Sequence, residues 1–210
     1  MQFPTSESKL LLPSAAGHIE VLATPANQEP PKGTVLICHP HPLFGGTMHN
    51  KVVSTLARTF QNLGLRTVRF NFRGVGKSEG THDNGKGETD DLVMLAEWVK
   101  ESFPNDALWL AGFSFGAYVA AQGALRLPAL QLVTIAPMVS RFKENNITFV
   151  APCPWILVQG EQDEVVSPGE VFAWVEELDP KPTLIRMADA GHFFHGQLLE
   201  LRRQLELALA

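Results

Sequence analysis

Hydrophobic and polar positions along the chain follow two alternating rhythms. Six short runs rich in β-branched residues are nearly continuous in apolar character: "TVLIC" (Thr34–Cys38), "TVRFN" (Thr67–Asn71), "LWLA" (Leu108–Ala111), "LVTIA" (Leu132–Ala136), "WILVQ" (Trp155–Gln159) and "TLIRM" (Thr183–Met187). Such runs are the pattern of strands buried on both faces, as in a parallel sheet covered by helices. Between them, Val52, Leu56, Phe60 and Leu63 recur at helical spacing, as do Leu92, Leu95 and Trp98 with Val99 beside them. Further helices are predicted just after Ser114, near Pro168, and over Leu198, Leu201, Leu205 and Leu209. Each would lay an apolar stripe on the sheet. The alternation predicts an α/β fold with a mostly parallel, doubly wound sheet. Ahead of it, "KLLLPSAAGHIEVLATP" alternates on either side of a small-residue turn, which predicts an antiparallel edge hairpin.

A length of 210 residues is expected to form one domain, residues 1–210. The Pro-rich stretch Asn27–Gly33 is too short for a domain linker and reads as a surface connection. With 45% hydrophobic and 19% charged residues, neither disorder nor a fibrous repeat is indicated. The net charge of −5 and the absence of Lys or Arg runs argue against a nucleic-acid partner; Arg202 and Arg203 read as a solvated helix face. The amino-terminal stretch lacks a basic start and a sustained apolar region, and no apolar run reaches bilayer length. A cytoplasmic protein without a membrane partner is expected. The two cysteines, Cys38 and Cys153, are expected to form neither a structural disulfide nor a metal framework, and Cys38 reads as a small buried hydrophobe.

The stretch "NFRGVGKSEG" (Asn71–Gly80) ends like a phosphate-binding loop. That loop needs a glycine five places before its last one, so that consecutive backbone N–H groups curl round the phosphates. Counting back from Gly76 reaches Asn71. The register argues against a nucleotide site and favours a glycine turn leaving a strand.

The chemistry concentrates in "LWLAGFSFGAYVAAQGAL", a buried strand running through "GFSFG" into a small-residue helix. This is the G-x-S-x-G pattern in its required setting. A sharp strand-to-helix turn exposes Ser114 Oγ, Gly112 and Gly116 permit close approach, and the helix start favours a developing oxyanion. A serine at neutral pH needs a base and an orienting acid. In this architecture both follow in the order acid then histidine, on loops at the carboxyl ends of later strands. After "WILVQ" comes "GEQDEVVSP" with Asp163, and after "TLIRM" comes "ADAGHFF" with His192. Glu161 and Glu164 flank Asp163. His195 lies a turn beyond His192 and reads as a partly buried histidine at a helix start.

The first oxyanion donor is expected from the backbone N–H of Phe115, the second from "HPHPLFGGTMHNK" after the first core strand. Pro40 and Pro42 have no N–H. His41 is the best placed and Leu43 the next. His39, His41 and His49 invite a metal reading, but no acidic or cysteine ligand accompanies them in a recognisable spacing, so no metal is expected.

With "HPHPLFGG", "RFNFRGVGKSEG", "GFSFGAY", "GEQDEVV" and "GHFFHG" in this order, the chain resembles the α/β-hydrolase superfamily, in particular the small cap-less bacterial serine hydrolases, over nearly its whole length. The resemblance implies the α/β-hydrolase fold and maps the catalytic triad onto Ser114, Asp163 and His192. It makes "RGVGKSEG" a scaffold turn. Pro40 departs from the superfamily pattern, where Gly usually follows the first histidine of the oxyanion loop. Superfamily members often insert a cap between Pro137 and Pro152; here the segment is too short for one. The open site implied has Phe44, Met138 and Phe193 as apolar neighbours. The expected activity is cofactor-free cleavage of small to medium carboxylic esters or thioesters through an acyl-enzyme. An amidase or peptidase with the same triad, or a non-catalytic binding module, are the alternatives.

Overall fold

The computed structural model describes residues 1–144 and 149–210. Its elements are β1 (Ser8–Ser14), β2 (Gly17–Thr24), β3 (Gly33–Cys38), α1 (Lys51–Asn62), β4 (Leu65–Phe70), α2 (Lys86–Ser102), β5 (Leu108–Phe113), α3 (Phe115–Ala124), β6 (Ala129–Ile135), α4 (Val139–Lys143), β7 (Trp155–Gly160), α5 (Pro168–Glu177), β8 (Thr183–Met187) and α6 (Leu198–Ala208). The eight strands form one sheet in the order β1-β2-β4-β3-β5-β6-β7-β8. The strands from β3 to β8 pair in parallel, and the β1–β2 hairpin joins antiparallel through β2 and β4.

Two apolar cores flank the sheet. Leu92, Leu95 and Trp98 of α2, Val119 and Ala120 of α3, and Val171 and Trp174 of α5 cover one face. Val52, Leu56 and Phe60 of α1 and Leu201 and Leu205 of α6 cover the other. The stripes anticipated from periodicity are thus the buried faces. Leu63 falls just outside α1, as its C-cap, because Gly64 at φ 89° turns the chain back into β4. The short α4 has no counterpart in the pattern, since five residues are too few to display a helical period. Residues 145–148 of the Pro137–Pro152 segment lie outside the described residues. No helix among the described residues is long and apolar enough to cross a membrane.

One feature of this topology decides where a site can form. From β3 the chain moves to β4 on one side and then crosses back to β5 on the other. The connections leaving β3 and β5 therefore diverge over opposite faces, opening a crevice at the carboxyl ends of these two strands. The segment from His39 to Asn50 and residue Ser114 lie at its mouth.

Candidate active site

Between β5 and α3, Ser114 holds φ 57° and ψ −116°. A non-glycine residue there stores about 1–3 kcal/mol of strain and must be held by its surroundings. The holding is visible: Ser114 N–H donates to Ile135 O at 2.8 Å, and its carbonyl accepts from Ala117 N–H at 3.0 Å. A Cβ on Gly112 would collide with the Gly116 carbonyl, and one on Gly116 with the Cys38 and His39 carbonyls. The two glycines let α3 start in contact with both β5 and β3. Phe115 N–H, first in α3, has no acceptor within the helix.

His192 joins Ser114 to Asp163. Its Nε2 lies 3.2 Å from Ser114 Oγ and its Nδ1 2.9 Å from Asp163 Oδ2. All three residues are buried. Asp163 Oδ1 accepts from the N–H groups of Val165 (2.8 Å) and Val166 (2.7 Å), and Oδ2 accepts a second donor, Gln159 Nε2, at 3.0 Å. Burial alone would raise the Asp163 carboxyl, but the bonds from His192, Val166 and Val165 win and hold it below its ordinary value. The flanking carboxylates are occupied elsewhere. Glu161 pairs with Arg186 at 2.8 Å, and Glu164 Oε2 accepts the backbone N–H of His192 at 3.1 Å. His195 is exposed rather than partly buried, because it sits in the turn before α6 and stacks on Phe193 instead of packing beneath the helix.

After β3, Pro42–Phe44 form a 3₁₀ turn. The His41 carbonyl accepts from Phe44 N–H (3.2 Å) and Gly46 N–H (3.1 Å). His41 Nδ1 accepts from Leu43 N–H at 3.3 Å, so the Leu43 donor is engaged, whereas His41 N–H has no acceptor among the described residues. This distinguishes the two candidates that sequence position ranked first and second. His39 is fully buried and clamps the segment: its Nε2 accepts Phe72 N–H at 3.0 Å, which leaves the proton on Nδ1, 2.6 Å from the Pro40 carbonyl. Burial pushes the His39 imidazole down to about 4. His49 is exposed, and among the described residues no three His, Cys, Asp or Glu side chains are grouped to hold a metal ion.

Ser114 and His192 open onto a cavity of about 360 Å³ whose apolar walls include Phe44, Met138, Val165 and Phe193. Among the described lining residues there is no Asp, Glu, Lys or Arg. The volume lies at the low end for small-molecule sites. The three aromatic and thioether neighbours expected from the sequence all line it. Val165 joins them only because its neighbour Asp163 anchors the loop. Three polar contributors had weaker sequence signals: His39, Gln159 and Glu164. The first two are polar residues at the ends of apolar strand runs, a pattern that marks them once noticed. Glu164 carries no such mark.

This architecture and arrangement define an α/β hydrolase. A family model described as "Serine aminopeptidase, S33" matches residues 29–153, more than half of the chain and a span that includes Ser114 but ends before Asp163 and His192. A solved α/β serine hydrolase homologue from Coxiella burnetii is 46% identical, covers 100% of both chains and superposes with a TM-score of 0.94. A serine hydrolase without lid from Xanthomonas campestris is 43% identical over 98% of this chain and 94% of that one, with a TM-score of 0.91. An uncharacterized protein of Rickettsia prowazekii is 35% identical over 179 residues, 81% of this chain and 75% of that protein. The chain belongs to the α/β-hydrolase superfamily, within the family of that model, and is a hydrolase.

Proposed function

We propose that this hydrolase cleaves neutral carboxylic esters or thioesters through an acyl-enzyme on Ser114. The observation that carries the reading is the His192 ring lying between Ser114 Oγ (3.2 Å) and Asp163 Oδ2 (2.9 Å) at the edge of an apolar cavity. His192 Nε2 takes the Ser114 proton as Oγ bonds to the substrate carbonyl carbon, and the carbonyl oxygen becomes an oxyanion. Phe115 and His41 N–H are its donors in this reading, since neither has another acceptor among the described residues. When the tetrahedral intermediate collapses, the bond to the alcohol or thiol breaks and His192 returns the proton to that leaving group. Water then gives a proton to His192 and attacks the acyl carbon. The Oγ–carbon bond breaks, Ser114 recovers its proton and the acid departs. Asp163 holds the imidazole with Nδ1 protonated and stabilises the imidazolium formed in each step.

A peptidase reading has the family description in its favour. An aminopeptidase, however, must hold the ammonium group of its substrate, for which a carboxylate in the cavity wall is the natural partner. The described lining offers none, which favours neutral acyl substrates. The deciding experiment maps the adduct of a fluorophosphonate probe by mass spectrometry in the native protein and in Ser114→Ala. A single adduct on Ser114, lost in the variant, is expected, with turnover of neutral nitrophenyl esters exceeding that of aminoacyl anilides. A folded protein that takes no adduct overturns the catalytic reading in favour of a binding module.

A further inference from the structure

Gln159 stands in β7 four residues before Asp163, a polar side chain in an otherwise apolar run that is fully buried. Its Nε2 donates to Asp163 Oδ2 at 3.0 Å and to the Gly160 carbonyl at 3.1 Å. Its Oε1 is buried and, among the described residues, has no hydrogen-bond partner. An orphaned amide oxygen in a protein interior is unfavourable, and a Met or Leu would occupy the position without one. Packing therefore does not account for an amide here. What the amide supplies and a hydrocarbon lacks is a donor aimed at Asp163.

That donor falls on the oxygen facing His192. Oδ2 receives Gln159 Nε2 and His192 Nδ1, while Oδ1 receives two backbone N–H groups. The carboxylate is thus held from four directions and cannot rotate its oxygens relative to the imidazole. A second donor on Oδ2 also draws charge from the atom that stabilises the imidazolium.

We propose that Gln159 is a positioning residue for the Ser114–His192–Asp163 reaction: its amide locks the Asp163 carboxylate against the imidazole and draws charge from the oxygen that faces it. The inference rests on the catalytic reading above. The other ionisable groups facing the pair are Glu164, on the His192 backbone N–H, and His41, across the cavity; Glu161 is turned into its pair with Arg186, and His195 stands behind the Phe193 ring. None of them is altered by substituting Gln159, so a change in pH dependence reports on the amide.

The test measures kcat and KM against pH for a short neutral ester, with thermal stability recorded alongside, in Gln159→Met and Gln159→Glu. Without the donor, Asp163 Oδ2 stabilises the imidazolium more strongly, and the acidic limb of kcat/KM in Gln159→Met is expected to move up by about half a pH unit or more. Its kcat should fall about tenfold with KM nearly unchanged, because the amide touches no substrate. The melting temperature should hold or rise, since the orphaned oxygen is gone. In Gln159→Glu the buried carboxyl beside the Asp163 carboxylate stays protonated and its O–H restores the donor, so its limb should stay close to that of the native protein. An unmoved acidic limb in Gln159→Met, or activity lost only in step with the fold, overturns the proposal. A Ser114 adduct in the native protein together with an unmoved limb in Gln159→Met sinks this inference alone, whereas no adduct in the native protein sinks the catalytic reading first.

Discussion

Two glycine-rich turns leave strands on either side of β3, and they meet opposite fates. In the turn after β4, most of the backbone donors are consumed within the chain. Lys77 N–H and Asn71 Nδ2 both donate to Glu20 Oε2 at 2.9 and 2.8 Å, so a carboxylate already occupies the anion position that "GVGKS" suggests. Ser78 Oγ accepts Glu20 N–H and donates to the Asn71 carbonyl, while Gly74 and Val75 N–H bond to the carbonyls of Glu79 and Phe72. In the turn after β5, among the described residues, Ser114 Oγ meets only His192, and Phe115 N–H is left without an acceptor. Both turns contain glycine, serine and bent backbone. Such a turn is free to meet a ligand when its donors remain unpaired, and serves as scaffold when a carboxylate from a neighbouring strand satisfies them.

The contrast can be broken most forcefully at the second turn. Replacing His192 by Ala should lower kcat for a neutral ester by about four orders of magnitude or more, whereas His195→Ala, an exposed neighbour, should stay within about twofold; steady-state kinetics of the pair decides the base assignment.

Gly116→Ala should come next. Its methyl would meet two carbonyl oxygens that cannot swing away, costing about 1–3 kcal/mol, and a displaced α3 start should lower kcat about a hundredfold. Gly76→Ala makes the matching control in the first turn. At φ 58°, with Asn71 Nδ2 2.5 Å and Glu20 Oε2 2.6 Å from the new Cβ, it should lose similar stability in urea titrations yet keep kcat within about twofold.

Acid sharpens the comparison, because the clamp under the segment after β3 is a buried neutral histidine. His39 takes a proton near 6.5 when unfolded and only near 4 when folded. Between these values the unfolded chain binds more protons, so stability falls as pH falls, by about 3 kcal/mol in total. Asp163, depressed below 3.8, adds a further loss as pH drops through its folded value. Melting temperatures recorded from pH 7 to pH 4 should trace this slope, and His39→Asn should flatten its upper part.

The smallest effect is expected for Glu20→Gln. It exchanges a charged acceptor for a neutral one, costs about 1–2 kcal/mol, and should leave ester turnover unchanged, with no nucleoside triphosphate expected to bind either form. Measurable binding of a nucleoside triphosphate would contradict the account of the first turn.

Much of this molecule was legible before its structure. The six core strands, the hairpin and the long helices follow from periodicity, because burial on two faces or one imposes its rhythm on neighbouring residues. The order Ser114, Asp163, His192 could be read for a related reason: each sits directly after a strand, and the carboxyl ends of parallel strands share one edge. Partner choice was read from position and motif resemblance; what stayed illegible were the bonds that enforce it. Asp163, Glu161 and Glu164 are equivalent as composition. Only the bonds from Val165 and Val166 turn Asp163 inward, while Arg186 draws Glu161 away. Likewise His41 and Leu43 differ as donors because the His41 ring folds back onto Leu43 N–H.

By itself, then, the sequence determined the layered α/β architecture, the strained serine turn with its small flanking residues, and the loops from which an acid and a histidine would come. These rest on local periodicity and on steric demands within a few residues. The tertiary structure alone decided that His192 reaches Ser114 across 78 positions of chain, that Glu20 closes the first glycine turn across 57, that His39 stays neutral beneath the segment after β3, and that Gln159 leans on Asp163. Hydrogen bonds and desolvation depend on distances of a few tenths of an ångström between elements remote in sequence, which packing sets and local pattern does not encode.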